Sequence, residues 1–185
     1  SDEILAMNVV PKRLGIIGGG VIGCEMAAAF SAFGSQVTIV EAMDRVVSMF
    51  DKDVSAELDK SLKNDGVTVM CGRKVVEIAD NNGCPVIVTD NGSVECDKVL
   101  LSIGRAADLE CLGALAEQIK TERGKVVVDD TMKTNIDNIY ACGDINGRIM
   151  LAHTAFKMGE IAAENCMTGE NKKCDLRFVP SCLYT

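Results

Sequence analysis

Residues 14–25, LGIIGGGVIGCE, constrain the fold more than any other stretch of the chain. An apolar run ending at Ile17 leads into Gly18, Gly20 and Gly23, spaced G-x-G-x-x-G, and then into a helical pattern. Strand, Gly-rich turn and helix form a dinucleotide fingerprint when an acidic residue closes the next strand about 20 residues on. Glu41 does this at the end of the β-branched run 36–41. In that reading Gly18 allows the tight turn, Gly20 lets the backbone approach a pyrophosphate, and Gly23 lets helix and strand pack closely. Gly19, Val21, Ile22 and Cys24 complete the loop, whose N–H groups would meet the diphosphate at the positive end of the helix dipole. The competing reading is an ordinary β-α-β unit with no ligand.

The rest of the chain reads outward from this unit. A helix is expected over 21–33, with Ile22, Met26, Ala29, Phe30 and Phe33 on its packing stripe and Gly34 as its stop. A second helix follows over 53–64, with Val54, Leu58 and Leu62 on one face, and then a strand over 67–70. Short strands at 75–79, 86–89 and 94–96, separated by Asn82-Gly83 and Asn91-Gly92, read as an antiparallel three-strand insert. Residues 98–103 form the next core strand. Beyond it the pattern predicts a short helix at 113–119, strands at 126–128 and 139–142, and a helix at 152–166 packed through Ala155, Met158, Ile161 and Ala162. Residues 178–185 read as the start of a strand. The fold class is α/β: a Rossmann-like domain with a parallel sheet and an antiparallel insert, followed by part of a second domain too short to bury a core alone.

Composition narrows the partners. The net charge of −8 offers no broad basic surface for nucleic acid, so small molecules or protein are expected. No apolar run approaches the ~18 residues of a membrane span, which predicts a soluble protein. The nine cysteines include no C-x-x-C pair, and an odd total makes a poor disulfide framework. Reduced thiols of a cytoplasmic protein are the expectation. A zinc site on Cys166, Cys174 and Cys182 lacks a close fourth ligand, so no metal is assigned.

Ordered along the chain stand Gly18 to Glu25, Val40-Glu41-Ala42-Met43-Asp44-Arg45, Ser102-Ile103-Gly104-Arg105, Ile139 to Asp144, Met150-Leu151-Ala152-His153 and Val179 to Thr185. This series resembles the two-dinucleotide flavoprotein disulfide reductases, the pyridine nucleotide-disulfide oxidoreductases, and within them the dihydrolipoamide dehydrogenase branch. The resemblance implies a lead-in at 1–12, an NAD-binding domain at 13–103, a returning part of an FAD-binding domain at 104–170, and the start of an interface domain at 171–185. It implies an internal segment, with the FAD Gly-rich loop and the redox C-x-x-x-x-C upstream and the acid-base His/Glu pair downstream. The expected whole protein is a homodimer in a lipoyl-dependent multienzyme complex, oxidising dihydrolipoamide with NAD+ through FAD and a disulfide. The segment itself is expected to hold no catalytic residue and to be inactive.

Residue by residue, the same resemblance implies that Glu41 holds the adenosine ribose hydroxyls and Glu25 approaches the nicotinamide end. Alternatives stand beside each: a solvated strand-end acid for Glu41, and a first-turn acid favoured only by the helix dipole for Glu25. Val75 matches the position that packs on adenine, with a plain core valine as its rival. The backbones of Ser102 and Gly104 would line the nicotinamide pocket. Asp144 matches the ligand of the FAD ribityl hydroxyls, or else is a turn or helix-capping residue, and Ala152 opens a helix facing the flavin. His153 is expected to pack or cap rather than catalyse. Two departures stand out: Ala106-Ala107-Asp108 where the family places Pro-Asn, and Cys142 in place of an aliphatic residue, expected as a small buried hydrophobe. Two rival functions remain open, a related NADH oxidase or coenzyme A disulfide reductase and a non-catalytic nucleotide-binding module.

Overall fold

The computed structural model describes residues 2–185. The chain groups into two compact units, one running to Gly104 and including Cys182–Thr185, the other Arg105–Ser181.

The first unit opens with the four-residue helix α1 (Asp2–Leu5) and then alternates β1 (Arg13–Ile17), α2 (Val21–Ala32), β2 (Gln36–Val40), α3 (Lys52–Asn64) and β3 (Thr68–Met70). An antiparallel meander follows, β4 (Val75–Asn81), β5 (Cys84–Thr89) and β6 (Gly92–Glu95), and β7 (Lys98–Leu101) returns to the parallel sheet. The sheet order is β3-β2-β1-β7, with β1 parallel to both neighbours and Ile16 opposite Ile39 and Leu100. A central strand of a parallel sheet is covered on both faces, which is why β1 is a continuous apolar run rather than an alternating one. Ile16 and Ile39 are fully buried. On one face they pack with Cys24, Ala27 and Phe30 of α2 and with Leu58 and Leu62 of α3. On the other, Ile17 and Val40 pack with Ile87 and Cys96 from the meander.

The β4–β5 turn is as expected: Asn82 (φ 54°) and Gly83 (φ 85°) are both left-handed, as a two-residue type I′ hairpin demands. The next turn is shifted. Thr89 pairs with Gly92, so Asp90 and Asn91 make the turn and Gly92 starts β6.

The second unit holds less regular structure than its sequence predicts. The helix expected at 113–119 is replaced by 3-10 turns over Glu110–Glu117, interrupted by Gly113 at φ 51° and ψ −127°. The expected strand at 126–128 reduces to β9 (Lys125–Val126), paired with β8 (Thr121–Glu122) in a small hairpin. Residues 139–142 form only one antiparallel bridge, Lys133 to Tyr140, and then a 3-10 turn, Gly143–Asn146. The closing helix α4 (Ala152–Thr168) buries Met158, Ile161 and Ala162 of the expected stripe, while Ala155 is half-buried. Residues 178–185 are not a strand.

Met132 is buried with a left-handed backbone, φ 69°, which a bulky side chain adopts only when its surroundings enforce it. Asp129 does the enforcing: its Oδ1 accepts from Thr131 N–H (2.8 Å), Thr131 Oγ1 (2.6 Å) and Lys133 N–H (3.1 Å). Burial raises the Asp129 pKa, but these hydrogen bonds outweigh it and the carboxyl ends below its ordinary value. Arg13, bonded to Asp97 through Nη2 at 2.8 Å, likewise holds that carboxyl down. Arg177 draws Asp175 to about 2. A carboxyl whose pKa is lower folded than unfolded adds stability above its unfolded value and loses it as pH falls through its folded value. Unfolded aspartates titrate near pH 3.9. These three groups therefore add no pH dependence above about pH 5, and melting temperature should fall between about pH 4 and pH 2. A thermal scan that stays flat down to pH 2 would refute this assignment.

Candidate functional site

The carboxyl ends of β1, β2 and β7 converge on the Gly-rich turn. Gly18 leaves β1 at φ 106° and donates its N–H to Val40 O at 2.9 Å, while Ser102 N–H bonds Ile17 O at 2.8 Å. A Cβ on Gly18 would lie 2.2 Å from Ser102 O, and one on Gly23 would lie 2.1 Å from Gly18 O. Both glycines are fixed by backbone running against backbone. Gly20 differs: it is extended (φ −75°, ψ −176°), and a Cβ there would meet nothing within 4 Å. The turn is therefore tight below and open at Gly20, a cradle that a side chain would fill. No side chain caps the start of α2. Its first-turn N–H groups lack intrahelical partners, as at any helix start, and keep their affinity for an anion.

Glu41 is built into this turn. Its Oε2 accepts Gly19 N–H at 2.5 Å and its Oε1 accepts Met43 N–H at 2.7 Å, while Gly19 O accepts Val47 N–H at 2.7 Å. An ionised carboxylate offers about four acceptor positions, so each oxygen retains one for a hydroxyl. Arg45 does not face this carboxylate with a free fork. Its guanidinium bonds Ser48 O at 2.8 Å and Asp44 Oδ1 at 3.3 Å, and its Nε is buried without a partner. Cys24, fully buried behind the loop, points its thiol at Gly19 O at 3.4 Å, and burial pushes its pKa up to about 12. It is a packing thiol, not a nucleophile.

Glu25 requires a correction. No acidic residue lies in the first turn of α2, so the dipole argument for Glu25 weakens. Its Oε1 accepts Tyr184 N–H at 3.0 Å. A cleft of about 520 Å³ on this side of α2 is lined by Glu25, Ala28, Ser31, Asp65 and Tyr184, and it includes none of Gly18, Gly20 or Glu41. The Gly-rich turn, not this cleft, has the geometry that suits a phosphate. Val75 is half-buried against the cluster of Ile17, Val40, Ile87 and Cys96, and Gly104 is exposed at φ 121°.

In the second unit, Asp144 is exposed within the turn Gly143–Asn146, where the cap residue is Cys142 and makes no side-chain cap bond. Asp144 is thus a turn residue, as one form of the alternative reading has it, and does not cap the turn. Cys142 is exposed, contrary to the buried small hydrophobe expected, because the chain leaves its single bridge at Tyr140 before the 3-10 turn begins. Ala152 opens α4 behind an extended Leu151, and no side chain caps this helix start either. Thr154, two residues on, is 2% exposed, and its Oγ1 has no hydrogen-bond partner among the described residues. His153 is exposed rather than packed and no side chain caps this helix start, so it neither packs nor caps as expected; its Nε2 lies 3.1 Å from Pro180 O. Sequence reasoning missed the most specific feature of this unit: Gly143 N–H donates to the Met158 thioether at 3.4 Å. Nothing in a packing stripe signals that its sulfur has a hydrogen-bonding partner. Among the described residues no three His, Cys, Asp or Glu side chains converge as a metal site.

Residues 1–159 match the family model for pyridine nucleotide-disulphide oxidoreductase. The chain belongs to this family. Its curated relatives include the dihydrolipoyl dehydrogenase of Mycoplasma genitalium, 40% identical over 189 residues that cover all of this chain and 40% of the relative. Among solved structures of the family's fold, LpdA from Mycobacterium tuberculosis superposes with a TM-score of 0.89 at 27% identity, over 99% of this chain and 40% of that one. The HOCl-induced flavoprotein disulfide reductase RclA from Escherichia coli superposes at 0.84 with 30% identity, over 93% of this chain and 40% of that one. The chain thus spans about 40% of the length of these oxidoreductases. No helix among the described residues is long and apolar enough to cross a membrane.

Proposed function

We propose that this chain is the NAD-binding segment, with part of the FAD-binding domain, of a cytoplasmic NAD-dependent dihydrolipoyl dehydrogenase. The observation that carries the reading is the Gly18–Gly20 turn, open at Gly20 and backed by the Glu41 carboxylate. Residues 13–103 bind NAD: the turn and the amides of Val21 and Ile22 take the diphosphate, and Glu41 accepts from the adenosine ribose hydroxyls. Glu25, Ser102 and Gly104 face the nicotinamide, and Val75 the adenine. Residues 104–170 return to the FAD domain, with Asp144 holding ribityl hydroxyls and the start of α4 at Ala152 offering N–H groups to the flavin edge. The unpartnered Thr154 hydroxyl fits a polar ligand group near that helix start. Residues 171–185 lead into an interface domain.

The bound cofactors supply the electron and hydride transfer between a dithiol, flavin and nicotinamide. The residues of this segment bind and orient. They place an anion on unpaired amides, select an unphosphorylated ribose by charge, and hold the two binding turns at the ends of buried strands and helices. The whole protein works as a homodimer within a lipoyl-dependent complex, and the redox cysteines and acid-base pair belong to its other parts.

Titrating the chain with NADH and, separately, NADPH by nicotinamide fluorescence tests the reading. Saturable NADH binding, at least about tenfold tighter than NADPH, is expected from an uncompensated carboxylate at the ribose. Equal or tighter NADPH binding, or no binding of either, would overturn it.

A further inference from the structure

The second unit contains a turn that donates two hydrogen bonds to a methionine sulfur. Gly143, buried and left-handed at φ 79°, starts the 3-10 turn that carries Asp144, and a Cβ on it would already touch Ala155 Cβ of α4 at 3.4 Å. One turn further along α4, Met158 is fully buried. Its sulfur receives two donors from the two ends of the Asp144 turn: Gly143 N–H at 3.4 Å and Asn146 Nδ2 at 3.3 Å. Asn146, itself 5% exposed, also donates to Ala141 O at 3.1 Å and accepts Arg148 N–H at 3.0 Å. The Asn146 side chain thus has oxygen and backbone partners besides the sulfur, and its Nδ2 also lies 4.0 Å from the Met132 sulfur, while the partner of Gly143 N–H is the Met158 thioether. A thioether is a weak acceptor, but a buried N–H with no partner at all is costly, so the sulfur decides whether the turn keeps this position.

We propose that Met158 is a positioning residue for cofactor binding: its thioether pins Gly143 and Asn146, and so fixes the Asp144 carboxylate relative to the start of α4 at Ala152. The proposal rests on the reading of Asp144 and Ala152 as FAD determinants. Asp144 and Ala152 lie on different elements, and a single sulfur on α4 ties one to the other. Ligand groups that must be met simultaneously by a loop carboxylate and by helix amides are sensitive to such ties, because small displacements cost binding while leaving the fold intact.

The test compares Met158→Leu, which keeps size and removes the acceptor, with Met158→Gln, which restores an acceptor oxygen, and Asp144→Ala. Two quantities are read: hydrogen exchange of the Gly143 amide in this chain without FAD, by NMR, and FAD affinity of the whole protein that carries the segment, by quenching of flavin fluorescence. In M158L the Gly143 amide should exchange about fivefold or more faster while Ile161, deep in α4, keeps its protection, and FAD affinity should fall by a similar factor. M158Q should recover both. Unchanged Gly143 exchange in M158L, or M158L and M158Q weakening FAD equally, would overturn the proposal and leave the FAD reading standing. D144A in the whole protein binding FAD as tightly as its parent would overturn the FAD reading and with it this role of Met158.

Discussion

Gly18→Ala is expected to abolish saturable NADH binding and to lower folding stability by about 3 kcal/mol or more. Two costs add at one atom. The residue holds φ 106°, which an L side chain rarely adopts, and the new Cβ would sit 2.2 Å from Ser102 O and 2.8 Å from Ser102 C. Those are backbone atoms at the end of β7, held by the Ser102 N–H to Ile17 O bond, so no rotamer change relieves the clash. Either the β1 end or the β7 end must move, and the Gly19–Glu41 bond goes with it. Gly20→Ala is the matched control. It is extended at the start of α2 with open space around its Cβ, so stability should change by only about 0.5 kcal/mol, while NADH affinity should fall at least about tenfold as the methyl enters the cradle. Chemical denaturation and NADH titration of both variants separate fold from site. If Gly20→Ala binds NADH as tightly as the parent chain, the open turn is not where the diphosphate sits.

The parts of this fold that the sequence disclosed are those whose cause is local. The β1 apolar run, the glycine spacing and Glu41 lie within one β-α-β unit, and Asn82-Gly83 writes its turn type into two residues. What escaped depends on partners far along the chain. In α2 the expected stripe runs through Ile22, Met26, Ala29, Phe30 and Phe33; Phe30 is buried as expected, yet the other buried positions are Gly23, Cys24 and Ala27, and Phe33 is 66% exposed. The reason is close packing: the helix approaches the sheet through its smallest residues, and hydrophobicity ranks small residues low. In α3 the buried position is Ser55 rather than Val54, because the Ser55 hydroxyl bonds Val46 O at 2.6 Å and is thereby satisfied inside. Residues 139–142 and 178–185 have strand-like composition but lack an adjacent strand to complete a ladder. Likewise, the position of Glu41 was readable from spacing, whereas its grip on Gly19 and Met43 was not.

That grip makes Glu41 the residue where selectivity and structure meet, and the second large effect is expected there. Glu41→Ala leaves Gly19 N–H and Met43 N–H without their acceptor, and hydrogen bonds to a charged group are worth about 1.5–3 kcal/mol each. Partial exposure lets water replace some of this, so a loss of about 2 kcal/mol in stability is expected, together with NADH affinity weakened by tenfold or more. Glu41→Gln isolates the charge. One amide oxygen still accepts, so much of the turn survives, while the carboxylate that repels a 2′-phosphate is gone. Two like charges about 4 Å apart at an effective dielectric near 20 repel by about 4 kcal/mol, before relaxation and salt screening reduce it. NADPH affinity should therefore rise by about tenfold in Glu41→Gln even as NADH affinity falls, and the gain should shrink with added salt. Arg45 cannot supply the compensation in the parent chain, since Ser48 O and Asp44 already occupy its guanidinium. A Glu41→Gln chain with an unchanged NADH to NADPH ratio would show that the carboxylate supports the loop alone, and the ribose would then have to be read by other groups.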